Sequence, residues 1–416
     1  MTISTIRRFN THDTPDDAII ALQTGRDNER QHVLDTIQGN LNPKQRQLQH
    51  ILIKAPRGFG KSYMARLAEI DSHGLAESGA TISFALLPEE QRNVSSPASL
   101  LKEIRRIVTD ERWDSVTSMW DDDEDAWKDA VADLDEALDD LFGDDDGLLV
   151  VAIENLDSLF RDVFKTDPDQ LALRKWMTRK NNRIMVLATA TGSVDLDYSK
   201  PIFKAFEEID LQPWTEDNCI EYFNQLREFK EDKLLDDEQI AKARAISTFI
   251  GGNPRLARFL GHVIATENVM TVAETLDGLV DDLSDYYRRR IDDLTGKTKT
   301  LLDALIRGGE PCSQSELAER VGTEQSRIAR AFAELKRNQI VVGKKVTGGR
   351  ETLYHVTDRV FVHFYRTRYG GVVREDSPLV GITELLKTFF TTDEKRDQAC
   401  AFLDSGLLKE GRLLAD

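Results

Sequence analysis

Residues 47–70, QLQHILIKAPRGFGKSYMARLAEI, pass from an apolar run through a glycine-punctuated loop into a helical pattern. Gln47 to Ile53 reads as a buried strand, Ala55 to Ser62 as a tight loop, and Lys61 to Ile70 as the following helix. The loop APRGFGKS matches GxxxxGKS everywhere except that Ala55 replaces the first glycine. In such a loop Gly58 and Gly60 let backbone amides turn inward on phosphate groups, and Lys61 contacts the β and γ phosphates. The Ser62 hydroxyl is placed to ligate magnesium, while Arg57, Phe59 and Tyr63 complete the contact set. A chance glycine-rich turn would lack the flanking strand and helix.

Working outward, Thr81 to Leu87, Leu148 to Ile153, Ile184 to Ala188 and Glu208 to Leu211 are further strand candidates. Strands separated by helical patterns predict an α/β fold, a P-loop parallel sheet with crossover helices. From Trp214 to about Tyr287 the pattern is helical, interrupted at GGNPR, and forms a helical lid. A winged helix-turn-helix unit follows, and then a helical tail. The expected domains are an N-terminal segment 1–45, a P-loop core 46–213, a lid 214–289, a winged-helix domain 290–374 and a tail 375–416. That tail reads as helical hairpins without their own core, as at the start or cap of a repeat array, so the chain is expected to be cut short there.

The composition of this 416-residue chain is ordinary for a globular protein, with 40% hydrophobic and 31% charged residues. No run of 18 apolar residues exists and the N-terminus lacks a secretory core, so a cytoplasmic protein is expected, with no membrane partner. Cys219, Cys312 and Cys400 show no CxxC spacing, and the 7 histidines form no HExxH, which argues against a disulfide framework or a zinc site. The net charge of -18 argues against general nucleic-acid coating. Its distribution is uneven: residues 121–146 hold 14 acidic residues against one lysine, and residues 296–374 hold 15 Lys/Arg against 8 Asp/Glu. The acidic block keeps Trp127, Val131, Leu134, Leu138 and Leu141 at helical spacing, predicting an amphipathic helix with an acidic solvent face. It lacks the alternating aspartates and central glycine of a calcium loop.

The full set of motifs resembles AAA+-related ATPases of the STAND and origin-recognition type. Gly25-Arg-Asp-Asn-Glu29 looks like the GRxxE box that lines the adenine side in those families, so Arg26 is a nucleotide-binding candidate. Gly252-Asn-Pro-Arg255 looks like the GNPR of the lid, whose arginine reaches the γ phosphate; Pro254 and Arg255 carry that role here. Thr189 and Thr191 sit where a sensor residue is usual. A closer likeness is to bacterial ATP-binding proteins with ENLD (Glu154 to Asp157), PEEQ (Pro88 to Gln91), GGNPR, a winged helix and often helical repeats, in that order. The resemblance implies ATP and magnesium as ligands, self-association, and a switch of the kind used in antiviral defence signalling, with an unidentified trigger or effector. The alternative is an ATP-dependent DNA-binding regulator or loader.

At VVAIENLD (150–157), Glu154 takes the place of the usual magnesium-holding aspartate and reaches about 1.5 Å farther. Magnesium retains several waters, so a carboxylate acting through water accommodates that difference. Asn155 replaces the usual catalytic glutamate; its amide can orient water but cannot take its proton at neutral pH. Slow, regulated hydrolysis follows. Asp157 is either the missing base or, more in keeping with its position, the cap of the next helix. Glu89 and Glu90 could serve only if their strand end approached the γ phosphate; otherwise they belong to a surface turn. Arg174, Arg179, Lys200 and Lys204 are candidates for a positive charge acting on a neighbour's nucleotide.

In the basic unit Ser313-Gln-Ser-Glu316 is a capping box, starting a helix with Leu317 and Val321 inward. Glu324 to Asn338 forms a second helix with Ile328, Phe332 and Leu335 on one face, and Ile340 to Val346 and Thr352 to Val356 form a hairpin around Gly348-Gly349. Docked on duplex DNA, Gln325, Ser326, Arg327 and Arg330 would face the major groove, and Lys344, Lys345 and Arg350 would reach phosphates. Glu324 opposes this by repelling phosphate, and such modules also serve as packing elements. Tyr354 to Tyr369 reads as a helix packing under the wing.

Overall fold

The apolar runs pair as one five-stranded parallel sheet. In the computed structural model its strands are β1 (His50–Lys54), β2 (Ile82–Leu87), β3 (Leu148–Ile153), β4 (Ile184–Ala190) and β5 (Phe206–Asp210), in the spatial order β2-β3-β4-β1-β5. The structure describes residues 11, 13–42, 47–88, 94–110, 124–143, 147–191, 200–261, 278, 280–308, 311–345, 352–369 and isolated positions between 389 and 400. β1 and β5 begin where pairing sets them, His50 opposite Phe206, rather than at the ends of the apolar runs.

Alternation along the central strands sends side chains into two cores. Leu52, Leu149, Val151, Ile153, Val186 and Ala188 point to one face, and Ile51, Ile53, Leu148, Val150, Met185 and Leu187 to the other. The second face is covered by α2 (Asp27–Asn40) and α3 (Lys61–Glu77), with α1 (Asp16–Ala21) packed on α3. The first is covered by α4 (Pro97–Thr109), α5 (Glu124–Phe142), α6 (Leu156–Asp162) and α7 (Asp167–Met177). Burial on both faces explains why β3 is apolar throughout and β4 apolar except at Thr189.

The acidic block does form an amphipathic helix, α5, whose Leu134 and Leu138 are buried and whose Trp127 meets Phe164 and Trp176 edge-on. One inward residue was misassigned. Leu141 is 42% exposed, and its neighbour Phe142 is buried instead, its ring packed against Gly147 just before β3. Several acidic residues of the outer face engage neighbouring cations: Arg179 forks onto Asp135, and Arg183 meets Asp139 at 3.0 Å.

Beyond β5 come α8 (Glu216–Phe229), α9 (Asp237–Ile250), α10 (Pro254–Leu260) and α11 (Ser284–Asp292). Then follow α12 (Gly296–Gly308), α13 (Gln314–Arg320), α14 (Gln325–Arg337), the antiparallel pair β6 (Val341–Lys345) and β7 (Thr352–Val356), and α15 (Arg359–Tyr369). A reciprocal Ser313–Glu316 capping box starts α13. β7 spans the stretch expected as the second hairpin strand, Thr352 to Val356; Tyr354 pairs there with Gly343 and bridges Cys312, so the last helix begins beyond it. One apolar cluster gathers described residues from Cys219 to Tyr365, on both sides of the boundary expected at 289–290. Of the tail, Phe389 and Glu394 lie on α9, where the buried Lys242 pairs with Glu394 at 2.9 Å. Most of the remainder of the expected hairpins falls outside the described residues. Among those described, no helix is long and apolar enough to cross a membrane.

Candidate functional site

The carboxyl ends of β1, β3 and β4 lie side by side, and each is followed by a residue the sequence singled out. After β1, the Ala55 amide donates to the Ala190 carbonyl (3.1 Å), holding the loop against the end of β4. Gly58 then adopts φ +86, and a Cβ there would lie 3.2 Å from Arg255 Cβ, Asn253 Oδ1 and the Tyr286 hydroxyl. Glycine is required both by the backbone and by the close approach. Gly60 is the N-cap of α3, so the first amides of that helix open onto the loop. The Lys61 ammonium sits within the loop, donating to the carbonyls of Ala55 (2.6 Å) and Pro56 (3.1 Å). Tyr63, two residues on, donates to the Ile19 carbonyl and ties α3 to α1.

After β3, the Glu154 amide donates to the Leu87 carbonyl (3.0 Å), and the residue, only 7% exposed, stands at the cavity wall. Asn155 has φ 56 and ψ 57, a left-handed conformation that asparagine tolerates better than most residues. Its amide donates to Thr189 Oγ1 at 3.0 Å, locking the end of β3 to β4. Asp157 fits neither of its expected roles. Asn155 occupies the N-cap position, and the buried Asp157 carboxylate accepts from both the amide and the hydroxyl of Thr191. It does not line the cavity, so it is placed to brace Thr191. Thr191 correspondingly directs its hydroxyl proton to Asp157.

The GGNPR segment closes the opposite side. Gly251 ends α9 in a left-handed conformation, where a Cβ would lie 2.6 Å from the Thr357 carbonyl oxygen. The Gly252 carbonyl accepts from the Trp214 amide (2.8 Å). Asn253 caps α10 through the Arg255 amide (3.0 Å), and that same amide approaches the Gly58 carbonyl at 3.2 Å. The lid and the phosphate-binding loop are thus bonded backbone to backbone. Arg26 is buried beneath the loop, donating to Gln212 (2.6 Å) and Phe59 (3.5 Å) carbonyls. Burial lowers its pKa, and the Glu29 carboxylate at 3.5 Å opposes that shift.

These elements enclose a cavity of about 450 Å³. It is lined by Arg26, Arg57 to Tyr63, Glu154, Asn155, Thr189, Thr191, Pro254 and Arg255, so every expected nucleotide or metal contact meets in one place. Sequence reasoning missed Trp214 and Tyr222, Arg258, and Tyr286 with Arg289. Arg258 was within reach, since it lies one helical turn beyond Arg255 on α10. Tyr286 gave no local signal, because only tertiary folding brings α11 to the loop. Of the four proposed trans-acting cations none lines the cavity; Arg179 holds Asp135 and Lys200 holds Asp167 (2.7 Å). Glu89 and Glu90 lie outside the described residues.

Far from the cavity, Gln325, Ser326, Arg327 and Arg330 are all exposed on the outer side of α14, as are Lys344 and Lys345 on β6. Arg350 lies outside the described residues. Glu324 stands at the N-cap of α14, at the edge of that face.

No protein-family model matches the chain, and neither does any curated protein. Among solved structures it is similar to the Walker-type ATPase of Pyrococcus abyssi, at 15% identity and a TM-score of 0.54, over 83% of this chain and 96% of that one. It is similar also to the ORC2 protein of Aeropyrum pernix in its ADPNP-ADP complexes, at 15% identity and a TM-score of 0.52, over 83% and 95%. The chain has the fold of these Walker-type, origin-recognition-like ATPases. At such identities the likeness is one of fold.

Proposed function

We propose that the chain binds ATP with magnesium in this cavity and hydrolyses it slowly, as a nucleotide-controlled switch that self-associates in its ATP state. The convergence of Lys61, Glu154 and Arg255, from distant parts of the sequence, on one cavity carries this reading. The amides of the loop and the Lys61 ammonium bind the β and γ phosphates. The Ser62 hydroxyl and Glu154 carboxylate are hard oxygen donors of the kind magnesium takes alongside phosphate oxygens and water. Magnesium, when bound there, neutralises charge developing on the phosphates.

The Asn155 amide orients water without accepting its proton, and Asp157 is engaged by Thr191, so turnover is slow. Arg255 reads the γ phosphate from the lid. A residue from a second copy completing hydrolysis fits the absence of any of the four candidate cations from the cavity wall among the described residues. The fold shared with a Walker-type ATPase supports hydrolysis rather than binding alone. Phosphate release at saturating ATP tests this: Lys61→Ala and Glu154→Gln should each reduce turnover to about a hundredth or less. Turnover unchanged in both variants would overturn it.

A second reading makes α12 to α15 with β6 and β7 a winged-helix module that contacts duplex DNA. Its support is the exposed set Gln325, Ser326, Arg327 and Arg330 beside Lys344 and Lys345. Affinity for duplex DNA should then fall with salt, and fall further when Arg327 and Arg330 are both replaced by glutamine. Binding indifferent to both changes removes this reading.

A further inference from the structure

The two faces of α11 do different things. On one face Tyr286, only 7% exposed, donates its hydroxyl to the Arg57 carbonyl of the phosphate-binding loop at 2.9 Å. The same hydroxyl accepts from Asn253 Nδ2 of the GGNPR segment at 3.0 Å. Its ring lies under the Arg255 guanidinium, 5.1 Å from the ring centroid. One phenol therefore touches the loop that would bind phosphate, the segment that caps the lid helix, and the arginine that would sense the γ phosphate.

The next residue faces the other way. The Tyr287 hydroxyl reaches the Asp358 carboxylate at 3.2 Å, and Arg290 reaches it at 3.4 Å. Arg290 also donates to the carbonyls of Asn338 and Gln339 (3.4 Å each), and its guanidinium lies 5.5 Å from the Phe361 ring centroid. Asp358 in turn accepts from the Phe361 amide (3.0 Å) at the start of α15. All three side chains are buried, so this polar cluster fixes α11 to the C-terminal module rather than to solvent. Thr357, beside Asp358, is the residue that abuts Gly251.

We propose that Tyr286 is a positioning residue, holding Arg255 in register with the phosphate-binding loop, and that the Tyr287–Asp358–Arg290 cluster sets its place from the C-terminal module. The proposal rests on the ATP-binding reading above. Burial raises the Tyr286 pKa, keeping the phenol protonated and able to donate. Because Arg255 distinguishes ATP from ADP in that reading, displacing it weakens one nucleotide and not the other.

Equilibrium titration of the full chain with ATP and with ADP, in magnesium, tests it in Tyr286→Phe, which keeps the ring and removes the hydroxyl. ATP affinity should fall about tenfold with ADP affinity unchanged. Equal weakening of both, or an unchanged ATP-to-ADP ratio, would overturn the proposal. Should Tyr286→Phe fold poorly, Asp358→Asn serves as the second variant, acting from the far face of α11; the same selective loss supports the proposal and an unchanged ratio sinks it. Lys61→Ala measured alongside separates the two levels. Undiminished ATP binding in that variant defeats the nucleotide reading itself, whereas lost binding there with an intact ratio in the Tyr286 and Asp358 variants defeats only the positioning role.

Discussion

In the proposed reaction Asn155 stands in the place of a general base, and its backbone conformation suits asparagine. At φ 56 it occupies the left-handed region, where a longer L residue is penalised by roughly 1–2 kcal/mol. Asn155→Glu is therefore expected to raise phosphate release at least tenfold, within the roughly 10²–10⁴ that a positioned base supplies, while lowering thermal stability. A turnover that stayed level in a folded Asn155→Glu protein would show that water activation is not the weak step. A second residue-scale expectation concerns His50, buried under the sheet. Its Nδ1 accepts from the Val186 amide (3.0 Å) and its Nε2 faces the Met177 carbonyl (3.2 Å), which defines a neutral ring. Burial pushes its pKa down to about 4, with the Met177 bond opposing. A depressed imidazole contributes stability that is present above the ordinary value near 6.5 and is lost as pH falls through about 4. Denaturant unfolding should thus lose about 2 kcal/mol between roughly pH 7.5 and 5 that His50→Gln does not lose.

At the scale of elements, the sheet and the phosphate-binding loop were legible because period-two burial and glycine spacing are local signals. β3 was read to the residue, since both of its faces are covered and every side chain is apolar. Strand ends were less legible: β1 starts at His50 because its partner starts at Phe206, a fact that lies in another part of the chain. Helix α5 was recognised from its stripe, yet Leu141 was placed inside, because the stripe does not reveal where the underlying sheet stops. The Asp157 role was not legible at all, since its partner Thr191 lies on a different strand end. The start of α12 is a similar case. The buried Glu334 of α14 accepts from the Thr295 amide (3.0 Å), the Thr295 hydroxyl (2.8 Å) and the Thr298 hydroxyl, so it caps a helix from a distance. Glu334→Ala should cost roughly 1–3 kcal/mol by removing the acceptor of the buried Thr298 hydroxyl and of the uncapped helix start. Denaturant unfolding within about 0.5 kcal/mol of the wild type would contradict that role.

Across the whole molecule, the segments expected as separate lid and C-terminal domains share one core from Cys219 to Tyr365, and α11 belongs to both. The GGNPR motif has the same double character. Its first glycine meets Thr357 of the C-terminal module, and its arginine meets Gly58 of the loop. In the proposed switch the cavity and the C-terminal module are therefore joined through packed side chains, the arrangement that coupling between them would need. All of it depends on the cavity being a nucleotide triphosphate site that works through Lys61 and Glu154. Calorimetric titration of the purified chain with ATP and magnesium examines that dependence most directly. One ATP bound per chain, with affinity reduced about a hundredfold or more in Lys61→Ala, is the expected result. ATP binding of undiminished affinity in Lys61→Ala would contradict it.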